Sequence, residues 1–169
     1  MEQWDIYTEN REKTGRLHTR GEKMAVGDYH LVVTALIFNS KGELLIQKRR
    51  EDKIGWPGFW DFSAAGSALA GESSRQAMIR EIKEELGIDV TTAESQLRFT
   101  WYFPDGFDDF WIIYHDVALE ELTLQKEEVQ EARWVNEEEF QSLVKAGEMI
   151  PYFFNETLFS WIHKGHLHE

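Results

Sequence analysis

The sequence predicts an α/β domain in which a mixed β-sheet is sandwiched between helices. Short apolar, β-branched runs bounded by turn residues recur along the chain, one strongly capped helical segment interrupts them, and two further helical patterns close it. Strands and helices in that mixed order form layers, because a sheet buries its apolar faces by packing helices on them.

The elements follow in order. Trp4 to Asn10, a polar turn at Arg11-Glu12-Lys13-Thr14-Gly15 and a return run from Arg16 to Thr19 read as a hairpin, forming an N-terminal extension over residues 1–28. Leu31 to Phe38 and Leu44 to Gln47 read as two strands joined by Asn39-Ser40-Lys41-Gly42. Gly55 to Phe62 leads through a loop into a short strand ending near Ala65. Ser73 with Gln76 three residues on is a capping-box pattern, good helix formers follow, and Gly87 supplies the stop. Leu97 to Phe103 and Phe110 to Ala118 read as strands around Pro104-Asp105-Gly106, and Ala132 to Val135 as another. Helices are expected from about Glu137 to Lys145 and from about Phe154 to His163, with Gly147 and Pro151 between them.

Composition bounds the function. The 169 residues suit a single domain spanning 1–169, and seven Trp and eleven Phe imply a packed core. A net charge of -13 opposes wrapping a nucleic-acid polymer, whose phosphates it would repel. The short basic cluster Lys48, Arg49 and Arg50 can hold one phosphate group, but not track a polymer. With no cysteine, thiolate nucleophiles, disulfides and Cys-ligated zinc are excluded. No apolar run reaches spanning length and the N-terminus does not read as a secretory signal, so a cytoplasmic protein without a membrane partner is expected.

The densest chemistry lies on the capped helix. Glu81, Glu84 and Glu85 stand at i, i+3 and i+4 and share one arc, while Ile79, Ile82 and Leu86 occupy another that faces the core. Neighbouring carboxylates repel, and a hard divalent cation with oxygen ligands removes that penalty. An isolated Glu-x-x-Glu-Glu run is also a common solvated helix face, so the spacing alone does not establish a metal site. Before the helix, Gly66-Ser67-Ala68-Leu69-Ala70-Gly71-Glu72 reads as a loop with glycines at both ends, which lets backbone approach a ligand closely.

The wider pattern is more specific. Gly66, five residues, Glu72, seven residues, then Arg80-Glu81-Ile82-Lys83-Glu84-Glu85-Leu86-Gly87-Ile88 resembles the signature box of the Nudix hydrolases at every specified position. Leu44 to Arg49 and Trp56-Pro57-Gly58-Phe59-Trp60-Asp61 resemble the strand and loop that precede the box, and the likeness covers residues 30 to about 145. The resemblance implies the Nudix fold with a loop-helix-loop active site binding Mg2+ or Mn2+. It further implies Glu81, Glu84 and Glu85 as metal ligands, Glu81 also as a candidate base, the Ala65 carbonyl as a further ligand, and Arg80 orienting carboxylates that include Glu72. The substrate would be a small phosphorylated metabolite carrying a diphosphate linkage, of the nucleoside diphosphate type.

His30 and the strand around it also resemble the branch of the family that includes isopentenyl diphosphate isomerase, where a cysteine precedes the box glycine and a histidine binds metal. This chain has Ala65 and Ser67 at the matching positions and His30 at the histidine. Hydrolysis is therefore the leading expectation, with isomerisation and a catalytically silent nucleotide sensor as alternatives. Substrate-binding candidates are Lys48, Arg49 and Glu128. Glu127, Asp108 and Asp109 are further candidates for a base, and Trp101, Tyr102, Phe103, Phe107, Phe110 and Trp111 divide between core packing and base stacking. His163, His166 and His168 read as a solvated tail. The substrate, the strand face of 44–50 that meets phosphate and the oligomeric state, a homodimer included, stay open.

Overall fold

The structure is a computed structural model describing residues 1–165, with side chains through Ile162; His166 and His168 lie outside the described residues. Strands β1 (Gln3–Tyr7) and β2 (Lys13–Thr19) form an antiparallel hairpin of their own. The main sheet contains β3 (His30–Phe38), β4 (Leu44–Arg49), β5 (Trp60–Asp61), β6 (Ala64–Ser67), β7 (Glu94–Phe103), β8 (Gly106–Tyr114) and β9 (Val129–Val135). The order β5-β4-β3-β8-β7 runs across it, with β6 also paired to β3 and β9 to β4. β3 and β8 are parallel and the other pairs antiparallel, so the sheet is mixed as expected.

Helix α1 (Ser74–Leu86) covers one face, and α2 (Glu137–Lys145) and α3 (Leu158–Gly165) cover the other. The composition of β3 explains its central place. Val33, Ala35 and Ile37 pack with Ala77, Met78, Ile82 and Leu86 of α1, while Leu36 and Phe38 pack with Phe140, Leu158 and Phe159. A strand apolar on both faces must be buried on both. Helix α1 begins with the expected capping box: Gln76 N–H donates to Ser73 Oγ at 3.1 Å, and Ser73 N–H donates to Gln76 Oε1 at 2.9 Å. It ends at Gly87, whose φ of 74° is left-handed.

Several boundaries differ from the sequence expectation. The first hairpin turns at Thr8 to Glu12, where Arg11 takes a left-handed φ of 64°, and Gly15 lies inside β2. β8 starts at Gly106 and ends at Tyr114, four residues earlier than its composition suggested. Gly106 passes directly over the His30 carbonyl, where a Cβ would overlap it, and the polar Asp108 and Asp109 are accommodated by side-chain partners inside the sheet. Beyond the strand, Asp116 accepts from Ser40 N–H at 2.8 Å and draws the chain away. Gly66 belongs to β6, opposite Val33, and not to the loop. α3 begins at Leu158, four residues after the expected start, and Phe154 packs in the core from a turn.

The hairpin β1–β2 is fastened to the main body at both ends. Tyr7 and Tyr29 exchange backbone hydrogen bonds of 2.7 and 3.1 Å, Ala70 N–H donates to the Gln3 carbonyl at 2.8 Å, and Gly71 N–H donates to Asp5 Oδ2 at 2.8 Å. At its turn, Arg11 Nη1 donates to Asp109 Oδ1 at 2.8 Å, and Thr100 Oγ1 donates to the same oxygen at 2.6 Å. Burial pushes the Asp109 pKa up, but the bonds from Arg11, Ser74 and Thr100 outweigh it and hold the carboxyl below its ordinary value. A depressed carboxyl pKa contributes stability above the unfolded value, about 3.9, and loses it as pH falls through the folded one. Asp109→Asn should therefore cost about 1–3 kcal/mol at pH 7 and progressively less below pH ~4. Urea unfolding of both proteins from pH 7 to pH 3 checks this; a difference that is constant with pH would contradict it.

Candidate active site

Packing sets the position of the acidic edge of α1. Ile82 and Leu86 are fully buried against the sheet, which turns the adjoining arc of Glu81, Glu84 and Glu85 toward the end of β6. A cleft of about 230 Å³ opens there, lined by the three glutamates, Ala65, Gly66 and Ser67, by Gln125 and Glu128, and by Glu2, Trp4 and Arg20 of the hairpin. The Gln125 side of the cleft is tied to α1 by its own backbone, Gln125 N–H donating to the Glu85 carbonyl at 2.9 Å.

Arg80 holds the loop and helix together. Its guanidinium grips Glu72 through Nε at 2.6 Å and Nη2 at 3.0 Å, and donates to the Ser67 carbonyl at 3.0 Å. Through Nη1 it reaches Glu81 at 2.9 Å and Glu84 at 3.1 Å. Glu72 in turn accepts from Leu69 N–H at 2.8 Å. The expected pairing of Arg80 with Glu72 is present, and a planar fork with five donors is suited to this number of partners.

Glu85 is in a different situation. It is 7% exposed and meets only neutral donors: Gln47 Nε2 at 2.6 Å and the Ala65 amide. Burial raises its pKa well above the ordinary value, and Glu81 and Asp61 raise it further. Burial likewise pushes Glu81 up, to about 7, against the pull of Arg80 and with the push of Glu84 and Glu2. Two buried carboxyls repel each other here, and one cation, Arg80, is shared among three glutamates. Among the described residues no three His, Asp or Glu side chains already converge on one point, since Glu81 and Glu84 face Arg80 and Glu85 faces Gln47. The donor set nevertheless fits a hard divalent cation: carboxylate oxygens beside exposed backbone, with excess negative charge.

The remaining candidates are dispersed. Lys48 and Arg49 do not line the cleft; Arg49 shares the Gln47 face of β4, but its Nε donates to the Gly55 carbonyl at 3.2 Å. Glu128 lines the cleft beside Lys53, 2.5 Å away, whereas Glu127 does not line it. Asp109 belongs to Arg11, and Asp108, accepting from Thr34 Oγ1 at 2.9 Å, is pushed up to about 7 by burial. His30 is stacked on Trp4 with ring centroids 4.3 Å apart, and burial lowers its pKa to about 4. Phe107, Phe110 and Trp111 are core residues, and the half-exposed Trp101 lies against Phe153 instead of the cleft. Sequence reasoning missed Gln47, Trp4 and Arg20, which lie outside the box and carry no motif.

Comparison with known proteins decides the family. The NUDIX domain pattern matches residues 28–153. The chain belongs to the Nudix family. A Listeria monocytogenes protein named an uncharacterized Nudix hydrolase is 57% identical over 160 residues, 95% of each chain. The isopentenyl-diphosphate Delta-isomerase of Escherichia coli is more distant, 28% identical over 147 residues, 84% of this chain and 79% of that one. Among solved structures, the protein DR0079 of Deinococcus radiodurans shares the fold with a TM-score of 0.74 at 22% identity, covering 92% of this chain and 96% of its own. The chain falls with the Nudix hydrolases, enzymes that generally use divalent metals. No helix among the described residues is long and apolar enough to cross a membrane.

In this Nudix site the box glycine has a steric role. A Cβ on Gly66 would overlap the Glu81 carboxylate. Gly66→Ala should displace the Glu81 carboxylate, the far end of a flexible side chain, and so weaken divalent-cation binding while costing little stability. Mn2+ titration of the variant beside its thermal unfolding checks this, and an unchanged Mn2+ affinity would place the Glu81 carboxylate elsewhere.

Proposed function

We propose that this Nudix hydrolase is a magnesium-dependent pyrophosphohydrolase that cleaves the diphosphate linkage of a small nucleotide-type metabolite. The observation that carries the reading is Glu85, buried beside Glu81 with neutral donors alone. A bare charge there is costly, and a divalent cation offsets that cost. Glu81, Glu84 and Glu85 would hold the ion with the Ala65 carbonyl, and Mn2+ would serve as Mg2+ does. The ion, when bound, supplies charge neutralisation at the diphosphate and lowers the pKa of water.

The chain's own residues do the rest. Arg80 holds Glu81 and Glu84 at the loop edge of the cleft, and binding the ion would turn their carboxylates from the guanidinium toward Glu85. Glu81 and Glu128, which both line the cleft, are the proposed acceptors of a proton from the attacking water. Gln47 fixes Glu85 from the sheet. Isomerisation is disfavoured because the chain contains no cysteine to serve as the proton-transfer partner.

Incubation with Mg2+ and a panel of nucleoside di- and triphosphates, nucleotide conjugates and prenyl diphosphates should convert at least one nucleotide-type compound to a phosphomonoester, with phosphate, pyrophosphate or a second phosphomonoester as the other product, and chelation should stop it. Glu85→Gln should retain the fold and lower kcat by about a hundredfold or more. Conversion of isopentenyl diphosphate to its dimethylallyl isomer, or tight nucleotide binding without turnover, would overturn the proposal.

The raised Glu81 pKa gives a second test. Below about 7 its proton competes with the metal, so the Mg2+ concentration for half-maximal activity should fall as pH rises from 5.5 to 7.5 and then level off. A half-saturation point independent of pH would contradict the role of Glu81 as ligand.

A further inference from the structure

Among the described residues the cleft is lined by five carboxylates, those of Glu2, Glu81, Glu84, Glu85 and Glu128, and by one cation, Arg20, while Arg80 and Lys53 are already engaged with Glu81, Glu84 and Glu128 from outside the lining. Glu81, Glu84 and Glu85 are the proposed ligands of the ion. A diphosphate carries more negative charge than one divalent ion neutralises, so its oxygens need a further cationic donor. Lys48 and Arg49 do not line the cleft. Arg20 does, and it comes from the hairpin.

The hairpin places Arg20 firmly at its base and loosely at its tip. Its backbone N–H donates to the Glu2 carbonyl at 3.0 Å, and the adjoining strand is bonded to the 66–72 segment through Ala70 and Gly71. Trp4, two residues from Glu2, stacks on His30 with rings tilted by only 10°. Among the described residues the guanidinium itself pairs with Glu2, at 3.0 Å, with the two side chains 61% and 41% exposed. An exposed pair of this kind is worth about 0–1 kcal/mol and exchanges readily for a better acceptor.

We propose that Arg20 is a substrate-binding residue that leaves Glu2 to grip the non-bridging oxygens of the diphosphate, so that the N-terminal hairpin forms the phosphate-binding wall of the site. This rests on the diphosphate-cleaving function proposed above. A planar fork recognises two phosphate oxygens at once, which a lysine does not. Glu2 then acts as a placeholder that keeps Arg20 off the acidic ligands while the site is empty of substrate.

Calorimetric titration of the full chain with methylenediphosphonate, a diphosphate that cannot be hydrolysed, tests this in the presence of Mg2+. The wild type should bind; Arg20→Ala should bind about 10- to 100-fold more weakly, the loss expected for hydrogen bonds to charged groups. Arg20→Lys should recover part of the affinity, and Glu2→Gln should bind more tightly than wild type, because it frees Arg20 and removes a repelling charge. Once a turnover substrate is found, Arg20→Ala should raise KM with kcat little changed. If the wild type binds and Arg20→Ala binds equally well with its far-UV circular dichroism unchanged, the role of Arg20 is overturned and the diphosphatase reading stands. If the wild type itself does not bind, both fall together.

Discussion

Arg80 is the contact on which the site depends. Three glutamates and a backbone carbonyl converge on one guanidinium, which joins the segment before α1 to the helix itself. The arrangement leaves an imbalance. Arg80 contributes one positive charge, and Glu72 takes the bidentate share of it. Glu81 and Glu84 receive single bonds, and Glu85 receives none from any cation. The fold thus holds negative charge that its own residues do not neutralise, in a partly desolvated cleft where that charge is expensive.

The rest of the architecture keeps that imbalance in place. Ile82 and Leu86 lock the rotation of α1, so the acidic arc cannot turn outward to water. β6 passes so close that a Cβ at position 66 would push the Glu81 carboxylate aside. From β4, Gln47 reaches across the sheet to hold Glu85 and the Ser63 carbonyl at once, at 2.6 and 2.9 Å. From outside, the hairpin closes a third wall. An Arg11–Asp109 pair inside the body and backbone bonds at the 66–72 segment keep that wall from drifting.

Much of this was legible in the sequence, and the reason is periodicity. The capping box of α1, its glycine stop and the arc of Glu81, Glu84 and Glu85 are local features, fixed by spacing within one helix. The Arg80 to Glu72 contact was readable only because the box resembles a family pattern. What escaped was long-range. Gln47 and Glu85 are far apart in sequence, and nothing in the alternation of β4 says that a glutamine meets a buried carboxylate. Gly106 and the two aspartates after it suggested a loop, yet they open β8 because Thr34, Thr100 and Arg11 supply partners from three other segments. Arg20 was invisible for the same reason: a cation at the end of a strand gains meaning only from where its hairpin docks.

The acidic edge of α1 is proposed as a cation site because its own protein partners leave it undercompensated. Titration of the protein with Mn2+, followed by the loss of the free-ion electron paramagnetic resonance signal, tests it most directly. The wild type should bind Mn2+ and release it to excess Mg2+. Glu85→Gln should bind at least about tenfold more weakly while melting at an equal or higher temperature, since it removes a buried charge without emptying space. Equal Mn2+ affinity in the two proteins, or no binding by the wild type, would contradict the claim.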